Sequence, residues 1–415
     1  MRLPWSRTTK EDASGDAARG VSRRAFTLGS LAAAAGAGIA SITLSSCSGG
    51  EDDTNTGEPQ VVTDDSQIVD VLEDYENVDN TLMPAATWSL PLGTMLFHTQ
   101  GLWAAAMLTP ESARHANTLG VLSLSSGNLI TLVEDPTQGA GYGFFDVRCS
   151  GQVMAWVEVD YTTRSWALIA QGFSDGTLTG EAVKLDEGDI DWEPARFTVW
   201  NTGVIWQKMP LATGSKSTED SHCYLWNLGD TESTNLWTSH GRFAGSPHVS
   251  DGILVIAPRV RDEGTYYGMT AIDLTDADHP RRNQLVLPSG VAPFDATYIN
   301  DTFVFTIEAS YNGVGSLGNM GTFMGNEGGP YIYVRREPLA CVAAYGTKYV
   351  VKSRASHFII DTQAQTYAVL TSPDHSIEYG DWPASEGTTD TLLTYATVRN
   401  DQGVPASVTA RVFAL

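Results

Sequence analysis

The sequence predicts an all-β chain, and three observations carry that reading. After about residue 80 almost no helical periodicity appears, with Pro110 to Leu119 the one stretch suited to a short helix. Elsewhere, short apolar runs rich in Val, Ile, Tyr, Trp and Thr are separated by Gly, Asp, Asn and Pro turns. A strongly apolar run also recurs seven times, with starts 43 to 51 residues apart.

The seven runs are Leu102–Met107, Val153–Val159, Val204–Met209, Ile253–Ile256, Thr302–Ile307, Tyr349–Val351 and Leu392–Ala396. A turn usually precedes the run, as at Ser150-Gly151, Thr202-Gly203, Asp251-Gly252 and Asn300-Asp301. A second strand follows, reading Ala271-Ile272-Asp273-Leu274 in one unit and Phe358-Ile359-Ile360-Asp361 in another, with Asn227 in the Asp-like place of a third. Four strands every 40–50 residues describe a blade of a β-propeller. Val153, Ala155 and Val157 stand on one face of their strand, and Met154 and Trp156 on the other. A blade sandwiched between two others needs apolar residues on both faces, whereas a β-sandwich leaves one face polar. Seven blades are therefore expected, with six as the alternative because the unit from Leu339 to Ser372 is short. The last unit ends at Leu415 after three strands, so its fourth is expected from Thr81–Leu92, which closes an otherwise exposed edge. The propeller domain is placed at residues 81–415. Over residues 80–415 the spacing resembles the loose group of bacterial propellers that includes TolB-type domains. Gly-His…Trp-Asp repeats, sialidase-type Asp boxes and tryptophan-docking repeats are absent from the sequence.

The N-terminal region has a different character. Arg23-Arg24 with Phe26 and Leu28 precedes a weakly apolar Ala/Gly stretch and then Leu44-Ser45-Ser46-Cys47. The arginine pair resembles a twin-arginine export signal and the Cys47 tetrapeptide resembles a bacterial lipobox. That resemblance implies a signal peptide over residues 1–46, folding before export, and lipid on Cys47 that holds the protein to the outer face of the cytoplasmic membrane. Ser48 to Asn80 contains eleven acidic residues and no Lys or Arg, so residues 47–80 are expected to form an acidic, flexible tether.

Charge excludes one class of partner. The formal net charge is −24, and removing six Lys/Arg and three Asp/Glu with residues 1–46 takes it to −27. Nucleic acids and anionic membrane surfaces call for the opposite sign, so the membrane contact is assigned to the lipid alone and the protein is expected to be a monomer. Cys149, Cys223 and Cys341 are too few and too scattered for a disulfide framework and read as buried free thiols, with one disulfide among them as the alternative. No cysteine or histidine spacing suggests zinc, and no metal or other cofactor is expected.

Innermost strands line a propeller's channel, and the polar candidates there are Asp146, Glu193, Arg196, His248, Asp295 and Asp381, with Trp192 and Trp382 beside them. Rings next to carboxylates suit the recognition of sugars or peptides. Gly-x-Ser-x-Gly does not occur, and no catalytic residue is assigned. The glycine-rich segment Tyr311–Pro330 is expected to present Met and Phe side chains at a mobile tip. The resulting expectation is an extracytoplasmic propeller that binds a protein, peptide or glycan without catalysis of its own. A carbohydrate-active hydrolase or lyase using channel-mouth carboxylates is the alternative.

Overall fold

A computed structural model describes residues 67–415 apart from 111, 113–114, 262, 308–319 and 337–338. Arg23, Arg24, Phe26, Leu28 and Cys47 lie outside the described residues. Among the described residues the only helix is Val71–Asp74, and no helix is long and apolar enough to cross a membrane. Among the described residues between Pro110 and Leu119 none is helical, and Thr118 and Leu119 open a strand, Thr118–Ser123.

Among the described residues seven sheets follow one another. Six take four consecutive antiparallel strands from one stretch each, beginning at Met95, Gly143, Arg196, His248, Pro293 and Ala343. The seventh combines Trp382–Pro383, Thr391–Arg399 and Pro405–Ala414 with an N-terminal strand, Ala86–Pro91. That strand pairs antiparallel along Ser407–Val412, so the closure expected from Thr81–Leu92 is present. We number these sheets as blades 1 to 7.

The ring follows from how side chains are shared. Val153–Asp160, the second strand of blade 2, is buried at seven of its eight positions, whereas the fourth strand, Thr177–Gly188, is largely exposed. Trp156 and Phe173 face blade 1, packed with Leu119 and Val121. Val157 and Trp166 face blade 3, packed with Phe197 and Trp206. The same arrangement recurs between every successive pair of blades. A seventh cluster joins Val408, Ala410 and Leu393 of blade 7 to Leu96, Ala104 and Leu122 of blade 1. Each blade depends on its neighbours to cover its faces, and truncating one of these buried tryptophans to Ala costs about 3–5 kcal/mol.

Turn chemistry agrees with the sequence at two hairpins. Asp251-Gly252 (φ 49° and 78°) and Asn300-Asp301 (φ 52° and 56°) have positive φ at both central positions, as a type I′ turn requires.

Two expectations need correction. Ile68–Asp70, assigned above to the tether, pairs parallel with Tyr331–Tyr333 of blade 5, and Glu76–Asn77 pairs parallel with Thr366–Tyr367 of blade 6. Between them Val71 and Tyr75 are buried in the cluster shared by these blades. The acidic composition masked an apolar minority, Ile68, Val69, Val71, Leu72 and Tyr75, that is spaced to pack. In the glycine-rich segment, Gly321–Gly325 is the third strand of blade 5. Met324 is buried and Phe323 stacks between Phe305 and Tyr333, so neither stands at a mobile tip.

Candidate functional site: a polar ring in the channel

The blade repeat places one polar residue at the start of each blade. His98, Asp146, Glu193, His248, Asp295, Cys341 and Glu386 follow one another at intervals of 45 to 55 residues. In blades 1, 2 and 5 a bulge in the first strand falls at this point, between Leu96 and Thr99, Phe144 and Asp146, and Pro293 and Asp295. A bulge re-aims the next side chain, and at Asp146 and Asp295 it turns the carboxylate inward while Phe145 and Phe294 stay exposed.

Glu386 reaches the ring by a different route. After the first strand of blade 7 the chain swings inward, and Gly387–Thr388 pairs parallel with Ala343–Ala344 of blade 6. Thr388 N donates to Ser250 Oγ (3.0 Å) on blade 4, across the channel. Gly387 permits this crossing: its φ is +66°, and a Cβ there would lie 3.0 Å from that of Ser250. Ser385–Thr389 therefore spans the channel and carries Glu386 to residues of three other blades.

His248 Nδ1 lies 3.0 Å from Glu386 Oε2, and its Nε2 touches Asp295 Oδ1. His98 Nε2 lies 3.7 Å from Glu386 Oε1 while its Nδ1 donates to the Cys149 carbonyl (3.0 Å). Arg148 contacts Asp146 at 3.4 Å and Glu386 at 3.9 Å. Cys341 completes the group, with donor atoms of His248, Asp295 and Cys341 all within 4.8 Å of one another.

Burial sets the electrostatics. Burial alone would push the Glu386 carboxyl up, but His248, Arg148 and His98 outweigh it and hold the group well below the usual carboxylate range. Burial would lower His248, yet Asp295, Cys341 and Glu386 raise it well above the ordinary imidazole value. His98 is lowered, because burial there exceeds the attraction of Glu386. Burial pushes the Cys341 thiol up to about 12 and raises Asp146 despite Arg148.

Of the eight residues singled out from sequence, Asp146, His248 and Asp295 belong to this cluster. Glu193 occupies the blade 3 position and pairs with Arg196 (3.3 Å) and Arg242 (2.5 Å), with Arg196 also donating to the Ala244 carbonyl (3.3 Å). Trp192 lies under Lys208 and Lys216, with ring centroids 5.4 and 4.9 Å from their Nζ atoms, and lines a groove of about 350 Å³ with Tyr142 and Trp166. Asp381 is fully buried, accepting from Ser372 Oγ (2.8 Å) and Arg411 with His357 Nδ1 at 3.5 Å. Trp382 lines a separate groove of about 380 Å³ with Met95 and Tyr395. His98, Arg148, Cys341 and Glu386 escaped the sequence reading. The repeat spacing itself was the available signal for His98, Cys341 and Glu386.

No protein-family model matches the sequence, and no curated protein matches it. Solved structures do resemble the fold. A puromycin hydrolase is 11% identical with a TM-score of 0.50, covering 74% of this chain and 50% of its own. A prolyl endopeptidase is 12% identical with a TM-score of 0.51, covering 77% of this chain and 47% of its own. The chain spans about half the length of the structures it matches. At these identities the likeness is one of fold. These neighbours are hydrolytic enzymes rather than binding proteins, which overturns the expectation of a propeller that binds without catalysis; its carbohydrate-directed alternative has no counterpart in either.

Proposed function

We propose that this chain is an exported, lipid-anchored propeller with a catalytic role in peptide hydrolysis, and that the channel cluster is its reaction centre. The observation that carries the reading is the convergence of Arg148, His248, Asp295, Cys341 and Glu386 from five blades. Amide hydrolysis needs a group that takes the proton of the attacking nucleophile and a cation facing the oxygen on which charge develops. Asp295 has the chemistry of the first and the Arg148 guanidinium that of the second, while Glu386 holds His248 and Arg148 in place between them. Enclosure by seven blades strengthens these interactions by keeping bulk water out. Peptides enter as substrates through the prolyl endopeptidase and puromycin hydrolase whose fold is similar.

The test is incubation of the purified protein with a mixture of synthetic oligopeptides, followed by mass spectrometry. Fragments are expected from the wild type and reduced by ~10²-fold or more with His248→Ala. An inert wild type, or a variant that cleaves equally well, overturns the reading.

Anchoring is part of the same proposal, supported by Leu44-Ser45-Ser46-Cys47 and the Arg23-Arg24 pair. Protein extracted from membranes is expected to begin at Cys47 and to carry acyl chains there. An unmodified Cys47 inside the mature chain contradicts this.

A further inference from the structure

We infer that His248, Asp295 and Cys341 form a binding site for one transition-metal ion of the zinc type in the propeller channel. The inference rests on the reading of the channel cluster as a reaction centre and names what that centre holds. Blades 4, 5 and 6 contribute one donor each, an imidazole nitrogen, a carboxylate oxygen and a sulfur, all within 4.8 Å of one another. Zinc bonds of about 2.0–2.3 Å hold tetrahedral donors roughly 3.3–3.8 Å apart, so the widest pair has to close by about an ångström while His248 Nε2 and Asp295 Oδ1, now in contact, have to open by a similar amount.

A second observation points to a cation independently of this spacing. Both His248 ring nitrogens, Asp295 Oδ1 and Glu386 Oε1 are buried without a hydrogen bond of sound geometry. Carboxylate oxygens crowd the imidazole on both sides, Glu386 Oε2 at 3.0 Å from Nδ1 and Asp295 Oδ1 in contact with Nε2. Buried polar atoms in this state are costly to a folded protein, and a bound ion relieves the cost. His248 is also only 6% exposed, so water has little room to relieve it.

The contacts sort the roles. Nε2 of His248 touches Asp295 Oδ1, and the Cys341 sulfur lies within 4.8 Å of the donor atoms of both residues. Nδ1 faces Glu386 Oε2 at 3.0 Å, the outer-shell partner that fixes the tautomer and orientation of a metal-bound histidine. A sulfur donor selects zinc-like ions over magnesium or calcium, and three protein donors leave a fourth position for water or a substrate carbonyl. The spacing rule that excluded zinc in the sequence looked for nearby pairs. Here the donors recur at 47 and 46 residues, the length of a blade.

The experiment is metal titration of the purified mature chain, with zinc followed by mass spectrometry of metals after dialysis and cobalt(II) followed by absorbance. One equivalent is expected, with a cobalt–thiolate charge-transfer band. Cys341→Ser is expected to abolish that band while still melting cooperatively, and Glu386→Gln is expected to weaken binding by about 10–100-fold without abolishing the band. No stoichiometric metal, a cobalt complex without the thiolate band, or a Cys341→Ser protein that binds like the wild type overturns the site. Peptide cleavage is scored separately, so a metal-free but active protein rejects this inference and leaves the proposed function standing.

Discussion

A chain that starts at residue 93 is expected to lose cooperative unfolding and to aggregate, whereas one that starts at residue 67 is expected to melt like the mature protein. Residues 48–66 are acidic and hold only Val61 and Val62 as large apolar side chains. Cutting further removes parts of the ring in turn. A start at 81 deletes Val71 and Tyr75 from the cluster between blades 5 and 6, and each buried side chain lost there costs about 2–5 kcal/mol. A start at 93 also deletes Ala86–Pro91, uncovering the whole edge of Pro405–Ala414 and the apolar face of Val408, Ala410 and Val412. An open edge of that length is a template for pairing with other chains. Calorimetry of the three truncations reads the order. Equal melting of the shortest and the longest chains contradicts ring closure by this strand.

Asp381→Ala is expected to destabilise the protein by about 3–5 kcal/mol, because it leaves the buried Arg411 guanidinium and the nearby Lys352 without their anion. Arg411 and His357 face the carboxylate directly, and Lys352 is nearby, its Nζ donating to the Ser353, Arg354 and Tyr379 carbonyls. Burial lowers Lys352 to about 8 and His357 to about 4, the latter in spite of Asp381. The sign for His357 follows from linkage: the unfolded chain takes up a proton near pH 6.5, the folded one only near 4. Stability is therefore expected to fall as pH drops from about 6.5 to 4, and His357→Gln is expected to flatten that slope. Urea midpoints of wild type, Asp381→Ala and His357→Gln across this range measure both effects. A wild-type midpoint that does not change with pH, or an Asp381→Ala protein as stable as its parent, contradicts the description of this group.

The sequence carried the fold further than the site, for reasons that particular residues make plain. The seven apolar runs were legible because a strand covered on both faces, such as Val153–Asp160, has little freedom in composition. Residues 68–77 were misread because acidity described their exposed faces and hid the few side chains that dock, Val71 and Tyr75 above all. Asp381 was grouped with Glu193 because each has a tryptophan beside it and a proline close by. In space it is a structural anion between blades 6 and 7, and Glu386 takes the channel position instead. Glu386 was illegible as a site residue because it sits in a connection whose course across the channel depends on Gly387, Thr388 and the distant Ser250. Long-range contacts of that kind leave no local pattern.

Whether the channel cluster performs chemistry is read most directly from kcat/KM of Glu386→Gln on the best-cleaved oligopeptide. Gln keeps the size of the side chain and its place beside His248 but removes the charge. A fall of ~10²–10⁴ in kcat/KM is expected, together with a lower melting temperature, because Gln leaves His248 and Arg148 without their shared anion. A rate constant indistinguishable from wild type, measured below the melting temperature of the variant, would contradict a chemical role for the cluster.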